Sequence, residues 1–299
     1  MADAIYAVIV AYKPDIQKLM ANVSGLADQV AHIVIVHNGS EQDLLVGDLP
    51  DRLTILHLGE NLGVATALNH GISFAKSAAA NFVLLMDQDS LPSTSMVEVL
   101  HLSLANARSN GQKIAAIGPL LQDSQNGRMS RHVRFGWLRV GRVSCSRDQD
   151  VVCTDFLISS GSLIPMDVMD NVGAMDDTLF IDHVDTEWIL RARAKGYSFL
   201  GSCKSTMSHS IGEKRLRVWF IRTREVPIHK PFRYYYIFRN SILLLKRSYP
   251  CGAWKRVDAT RMAQLIIFML LFHGQRREVL NYILRGIKDG LQERTGAMQ

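Results

Sequence analysis

The chain has 299 residues, 47% hydrophobic and 21% charged, a globular balance that excludes a disordered chain. That length allows one large catalytic domain with an appendage, or two modest domains. The net charge of +6 is uneven: residues 1–199 carry 15 Lys and Arg against 22 Asp and Glu, residues 200–299 carry 19 against 6. Such a split predicts that one end faces an anionic partner: nucleic acid, an anionic lipid surface or a phosphorylated substrate.

The first segment, MADAIYAVIVAYKPD, has no basic region before its apolar run and no small-residue cleavage site, so it reads as a strand and not as a signal peptide. Runs rich in Val, Ile and Leu at 4–12, 32–38, 53–58, 82–87 and 114–120 predict buried strands. Residues 15–30, 64–79 and 93–110 predict helices between them, and this alternation indicates an α/β domain with a mainly parallel sheet. Ligands bind beyond the carboxyl ends of such strands, where AYKP, HNGS and DQDS all fall. The stretch 121–150 is polar, arginine-rich and punctuated by glycine, as in an exposed hairpin or loop. Residues 151–165 regain strand character, and 186–197 read as a helix stopped by Gly196. Beyond residue 215 the chain turns basic and aromatic. The apolar run at 261–272 falls short of the roughly 20 residues that span a membrane, so it lies on a surface or packs in a core. Cys145, Cys153, Cys203 and Cys251 are widely spaced without a CxxC pair, which predicts neither a disulfide framework nor a zinc ribbon and fits a reducing cytosol.

Asp87 and Asp89 stand one residue apart at a strand end. Two carboxylates held together repel unless a cation lies between them, and oxygen ligands suit Mg²⁺ or Mn²⁺. The plainer account is an acidic turn capping the helix that begins near Ser93. A phosphatase would carry its DxD after the first strand, with Thr or Val two residues beyond; here the motif follows the fourth strand and continues as Ser90-Leu91. In ENLGVATALNHGI, Asn61 and Gly63 precede a helix that carries Asn69. Gly63 lets backbone approach a ligand, and a helix N-terminus favours an anion. In LFIDHVDTEWILRARAKGY, Asp182, Asp185 and Glu187 crowd a helix start, where the dipole stabilises negative charge. Set among Phe180, Ile181 and Trp188, one of them is also a candidate general base. His209 follows a further strand, close to a glycine and an acid.

Together these segments resemble family 2 of the inverting glycosyltransferases, with the GT-A fold, and within it the bacterial rhamnosyltransferases of surface-polysaccharide (O-antigen, lipopolysaccharide) assembly. The resemblance rests on VIVAYKPD, HNGS, ENLGVATALNHGI, LLMDQDS, FIDHVDTEWILRARAKGY and HSIGE, in order over residues 4–215. It implies a GT-A catalytic domain over 1–215, with a mainly parallel nucleotide-binding sheet flanked by helices, and a basic, aromatic, helical appendage over 216–299. Tyr12, Asn38, Asn61, Gly63, Asn69, Asp87 and Gln88 would border the nucleotide-sugar. Asp87 and Asp89, with His209 near the metal or diphosphate, would hold Mg²⁺ or Mn²⁺. Alignment on Arg191 makes Asp185 the base, with Val184 in place of the usual Glu, and keeps Asp182 as the alternative.

The resemblance further implies dTDP-L-rhamnose as donor, a polyprenyl-diphosphate-linked glycan as acceptor, and a cytoplasmic location, peripheral on the inner face of the bacterial membrane. A basic, partly amphipathic tail fits such an acceptor and an anionic membrane; packing on the core or in a homo-oligomer is the other account of it. Nucleic acid is not expected, since no nucleic-acid fold motif accompanies the arginines. A non-catalytic nucleotide- or glycan-binding protein of the same fold is the alternative function.

Overall fold

The computed structural model describes residues 3–39, 51–124, 127–146, 148–209, 214–220 and 222–298. The end of the HNGS segment and most of HSIGE beyond His209 lie outside them. In chain order the elements are β1 (Ile5–Ala11), α1 (Ile16–Ala27), β2 (His32–His37), β3 (Leu53–His57), α2 (Val64–Ser77) and β4 (Phe82–Asp87). There follow β5 (Leu91–Pro92), α3 (Met96–Ser109), β6 (Ile114–Asp123), β7 (His132–Phe135), β8 (Val140–Val143), β9 (Val151–Thr154) and β10 (Ser162–Pro165). The last third holds α4 (Met166–Val172), α5 (Val184–Ala194), β11 (Ser198–His209), β12 (Lys214–Phe220), β13 (Arg222–Ile228), α6 (Pro231–Lys246), α7 (Gly252–Phe272) and α8 (Arg276–Leu291).

One sheet runs β3-β2-β1-β4-β10-β6-β11-β5, with β9 paired to β11. β1, β2, β3 and β4 are parallel, as are β6 and β11, while β10 runs antiparallel between β4 and β6. This is the mainly parallel α/β architecture that the sequence predicts.

The pleat explains the doubly apolar strands. In β1, Ala7, Ile9 and Ala11 enter the core packed on α1 and α3, while Val8 enters the core on α2, α4 and α5. In β4, Leu84 and Met86 face the first and Val83 and Leu85 the second. Alternate side chains thus serve two cores, so neither face can be polar. Burial of a side chain of this size contributes about 1.5–3 kcal/mol.

Two features depart from expectation. Cys145 and Cys203 form a disulfide, while Cys153 and Cys251 are free. Pairing of β9 with β11 brings the chain before β9 beside Cys203, whose N–H donates to Asp150 O at 2.7 Å; cysteine spacing alone carries no such information. The basic region is also not helical from its start, since β12 and β13 form an antiparallel hairpin before α6.

The three terminal helices pack on one another and on the body. α6 and α8 approach closely because Gly286 and Gly290 face backbone: a Cβ on them would stand 2.4 Å from Tyr235 O and 2.8 Å from Arg239 O. Among the described residues, no helix is long and apolar enough to cross a membrane.

Candidate active site

The carboxyl ends of β1, β2 and β4 meet at one edge of the sheet. Beyond β1, the Tyr12 N–H donates to Gln88 Oε1 (2.8 Å) and Tyr12 O accepts from Gln88 Nε2 (3.3 Å), so the glutamine of the DQD segment clasps the turn after the first strand. Beyond β2, buried Asn38 joins Asn61 (3.2 Å) and accepts from the Leu62 N–H (3.0 Å), while Asn61 accepts from the Gly63 N–H (3.0 Å). Tyr12, Asn38, Asn61, Gly63 and Gln88 therefore share this edge.

Two of the expected donor-site residues have visible structural tasks. Gly63 has φ of 88°, and a Cβ there would stand 2.6 Å from Phe180 Cδ2. The backbone that approaches it is that of Phe180, whose carbonyl accepts from the Val64 N–H at 2.8 Å. Asn69 clasps Met175, donating to its O and accepting from its N–H, both at 2.9 Å, and so ties α2 to the segment before α5.

Asp87 ends β4 with its backbone held on both sides. Its N–H donates to Ser160 Oγ (3.0 Å) and its O accepts from Asn22 Nδ2 (2.8 Å). Ser160 Oγ meets Ser90 Oγ (2.8 Å), and Ser90 Oγ meets His209 Nδ1 (2.9 Å). That chain aims the other imidazole nitrogen at Asp87, with Nε2 3.9 Å from Oδ2. The Asp87 side chain stays 48% exposed toward the cleft. Desolvation at the cleft floor pushes its pKa up, and repulsion from Asp89 adds to this, while His209 and Arg233 oppose it. Asp89 stands in the turn after β4, with no hydrogen-bond or ion-pair partner among the described residues.

The acids before α5 have separate environments. Asp182 is held by Arg233, at 3.2 Å from Nε and 2.5 Å from Nη2. Glu187 is almost wholly buried and accepts from Arg191 (2.8 Å) and from the Tyr249 hydroxyl (2.6 Å), which makes it a structural anchor. Among the described residues Asp185 has no cationic partner; its Oδ1 accepts from Thr186, at 2.7 Å from N and 3.4 Å from Oγ1. Desolvation pushes its pKa up to about 6, and the charges of Asp87 and Asp182 push the same way against the Thr186 bond. The Asp87 charge acts on Asp185, so the end of β4 and the start of α5 lie near each other. An acid at this pKa is ionised at neutral pH yet still basic enough to accept a proton.

Ser160, Arg233 and Asn240 contribute to this site without any signal in the sequence. Ser160 lies in an apolar strand-like run, and the other two lie on α6, far from the motifs in the chain.

The Glycosyl transferase family 2 pattern matches residues 6–167, and the chain belongs to that family. It is 32% identical over 253 residues to dTDP-rhamnosyl transferase RfbF of Shigella flexneri, covering 83% of this chain and 82% of that one. Among solved structures, GalNAc-T7 with UDP, GalNAc and Mn²⁺ superposes with a TM-score of 0.63 at 15% identity, over 97% of this chain and 56% of that chain. S. aureus TarS with UDP-GlcNAc superposes with a TM-score of 0.59 at 14% identity, over 97% of this chain and 81% of the other. At such identities the two structures support the GT-A fold alone.

Proposed function

We propose that the chain is an inverting, metal-dependent rhamnosyltransferase that moves L-rhamnose from dTDP-L-rhamnose onto a hydroxyl of a lipid-linked glycan acceptor during cell-surface polysaccharide synthesis. The observation that carries the chemistry is the meeting of the Asp87–Asp89 edge with Asp185, an unpaired acid whose pKa is raised to about 6. The donor follows from the name of the Shigella relative, which the chain matches over most of both lengths.

A divalent cation suits the donor set. Asp87 is half open, Asp89 is unpaired, and their mutual repulsion would be relieved by positive charge. An imidazole proton on Nδ1, donated to Ser90, would leave the Nε2 lone pair of His209 facing the same place. Among the described residues, no three such groups stand together as a closed metal cage, so the remaining ligands would be diphosphate oxygens and water. Bound there, the cation would supply charge stabilisation to the departing diphosphate.

The residues of the chain supply the rest. The cleft edge built from Tyr12, Asn38 and Asn61 receives the nucleoside. Asp185 accepts the proton of the acceptor hydroxyl as its oxygen bonds to the anomeric carbon from the face opposite the diphosphate. The bond to the diphosphate breaks in the same displacement, and the configuration inverts. Both carboxylate oxygens of Asp182 are already engaged by Arg233, so Asp185 is the acid left open to the acceptor hydroxyl. Incubation with dTDP-L-rhamnose and Mg²⁺ or Mn²⁺ should release dTDP, faster when acceptor lipid is added, and a chelator should suppress it. Release from other nucleotide-sugars but not from this one would reject the donor, and release unaffected by chelation would reject the metal.

A further inference from the structure

The arginine-rich stretch after β6 has no part in donor binding as described. Between Asp123 and Asp148 the sequence carries Arg128, Arg131, Arg134, Arg139, Arg142 and Arg147, and no acid. β7 and β8 fold this stretch back as a hairpin, paired from His132↔Val143 to Phe135↔Val140. The hairpin is tied down at several points. Thr154 Oγ1 takes the Val133 N–H (3.2 Å) and donates to Val133 O (2.9 Å), and Asp155 Oδ2 accepts from the Phe135 N–H (2.8 Å). Arg256 of α7 lies over the Trp137 ring at 4.1 Å, and the Cys145–Cys203 bond closes the base. Asp155 also neutralises Arg193 (2.6 Å) and Arg134 (3.7 Å).

Arg131 and Arg142 are treated differently. Arg142 Nη1 donates to Arg131 O at 3.4 Å, and neither guanidinium has a carboxylate partner among the described residues. Both line a cavity of about 170 Å³ between β6 and the hairpin, bounded also by Gly118, Pro119, Phe156 and Ser160. Ser160 is the residue whose Oγ holds the Asp87 N–H. Leu157 and Ile158 line both this cavity and the smaller one that contains Asp185. The cavity therefore adjoins the metal-side acid and the base, with two unpaired guanidiniums at its rim.

We propose that this cavity is an acceptor subsite for the diphosphate of a lipid-linked acceptor, gripped by Arg131 and Arg142. Guanidinium forks match phosphate oxygens two at a time, and Arg131 and Arg142, with no carboxylate beside either, repel each other until an anion lies between them. The volume is below the roughly 300 Å³ of a drug-sized pocket and suits one compact group. The apolar wall of Pro119, Phe156 and Leu157 suits the first carbons of a lipid chain. This assignment rests on the glycosyl-transfer reading and specifies its acceptor side.

The test is a titration with farnesyl diphosphate and with farnesol, in saturating dTDP so that the donor's own diphosphate site is filled. It compares the wild type with the double variant Arg131→Gln, Arg142→Gln, both exposed positions whose loss leaves the core intact. Farnesyl diphosphate should bind the wild type, farnesol should not, and the variant should lose at least about tenfold in affinity. Hydrolysis of the nucleotide-sugar by water should be the same in both. Equal affinity for the two proteins, or no binding to the wild type, overturns the subsite. Equal affinity for farnesyl diphosphate with weakened binding to phosphatidylglycerol vesicles overturns it too, and gives the arginines to a membrane surface. A wild type that hydrolyses no nucleotide-sugar would count against the enzymatic reading, while the titration still judges the subsite.

Discussion

The two acid clusters of the cleft are held by opposite means. The β4 end is fixed from within the β1–β4 half of the sheet: Asn22, Ser160 and Gln88 each tie backbone to side chain across neighbouring strands and helices. The loop before α5 is strained and is held from outside that half. Phe180, Asp182 and His183 all have left-handed φ, between 62° and 64°, and such residues cost on the order of 1–3 kcal/mol each. α6 offsets this. Asn240 Nδ2 donates to the carbonyls of Leu179 (3.0 Å), Ile181 (2.9 Å) and Asp182 (2.9 Å), and Arg239 Nη2 adds a bond to Leu179 O at 2.9 Å. Ser241 reaches His183 at 3.0 Å, whose pKa burial lowers to about 4, keeping the ring neutral. The strand end is thus ready once the sheet forms, whereas the loop that leads into Asp185, the proposed base, is in place only when the C-terminal helices dock.

Loss of the proposed base, Asp185, should cost most. Asp185→Asn keeps the shape and loses proton acceptance, so transfer should fall by about 10²–10⁴-fold while donor affinity holds. The wild-type rate should decline as pH falls through about 6, because only the ionised acid is a base. The sign for stability is the reverse. A folded-state pKa raised above 3.8 means that the folded state loses stability as pH rises toward 6. The variant should therefore melt higher than wild type at pH 7.5, with no gain below pH 4. A larger turnover loss in Asp182→Asn, with Asp185→Asn near normal, would move the role to Asp182.

The strand-end partner is Asp89. Asp89→Ala removes a carboxylate that holds nothing else in the fold, so the melting temperature should stay within a few degrees while the metal-dependent part of donor binding disappears. Calorimetric titration with dTDP-L-rhamnose, with and without Mn²⁺, measures both terms. Normal turnover by the variant in chelator would detach the metal from this edge.

The clamp is tested by Asn240→Ala, which leaves three carbonyls of the strained loop without their shared donor. Stability should fall by about 2–4 kcal/mol, given roughly 1–3 kcal/mol per buried unpaired group. At temperatures where the variant remains folded, kcat should drop more than donor KM rises, because the base and not the nucleotide edge is displaced. Equal changes in both would mean that α6 supports the whole cleft uniformly.

The same contrast explains what could be read in the sequence. The strands, the first three helices and the Asp87–Asp89 turn follow from local periodicity, and β4 shows it plainly: five apolar residues run straight into Asp87 because both faces are buried. The role of α6 was out of reach. Arg239, Asn240 and Ser241 sit in an aromatic, basic helix that suggests a surface, yet all three are fully buried. Their partners in the loop before α5 lie between 58 and 61 residues earlier, and no spacing rule links them. Gly63 could be identified as a point of close approach, but what approaches it, Phe180, depends on the same docking. Cys145 and Cys203 are joined by strand pairing for the same kind of reason.

The outer surface of the C-terminal helices has no task at the proposed site, and changes there should cost least. At the end of α7, Ile267 (58% exposed), Leu270 (43%), Leu271 (57%) and Phe272 (37%) face outward, and exposed Arg276 and Arg277 follow at the start of α8. An apolar tip beside cations suits peripheral contact with an anionic membrane. Each Lys or Arg near such a surface contributes about 1 kcal/mol, screened over roughly 8 Å at physiological salt. Truncation before α7 would be a poor test, because α8 packs on α6 and would take the base loop with it. Point changes at the tip, Leu271→Glu with Arg276→Ala and Arg277→Ala, leave that packing alone. Co-sedimentation with phosphatidylglycerol vesicles should be salt-sensitive in the wild type and reduced in the variant, with neutral vesicles binding neither. Equal recovery in the supernatant at low and high salt, with either vesicle, would return this surface to packing between subunits, and unchanged dTDP release by the variant would show that the cleft itself had not been disturbed.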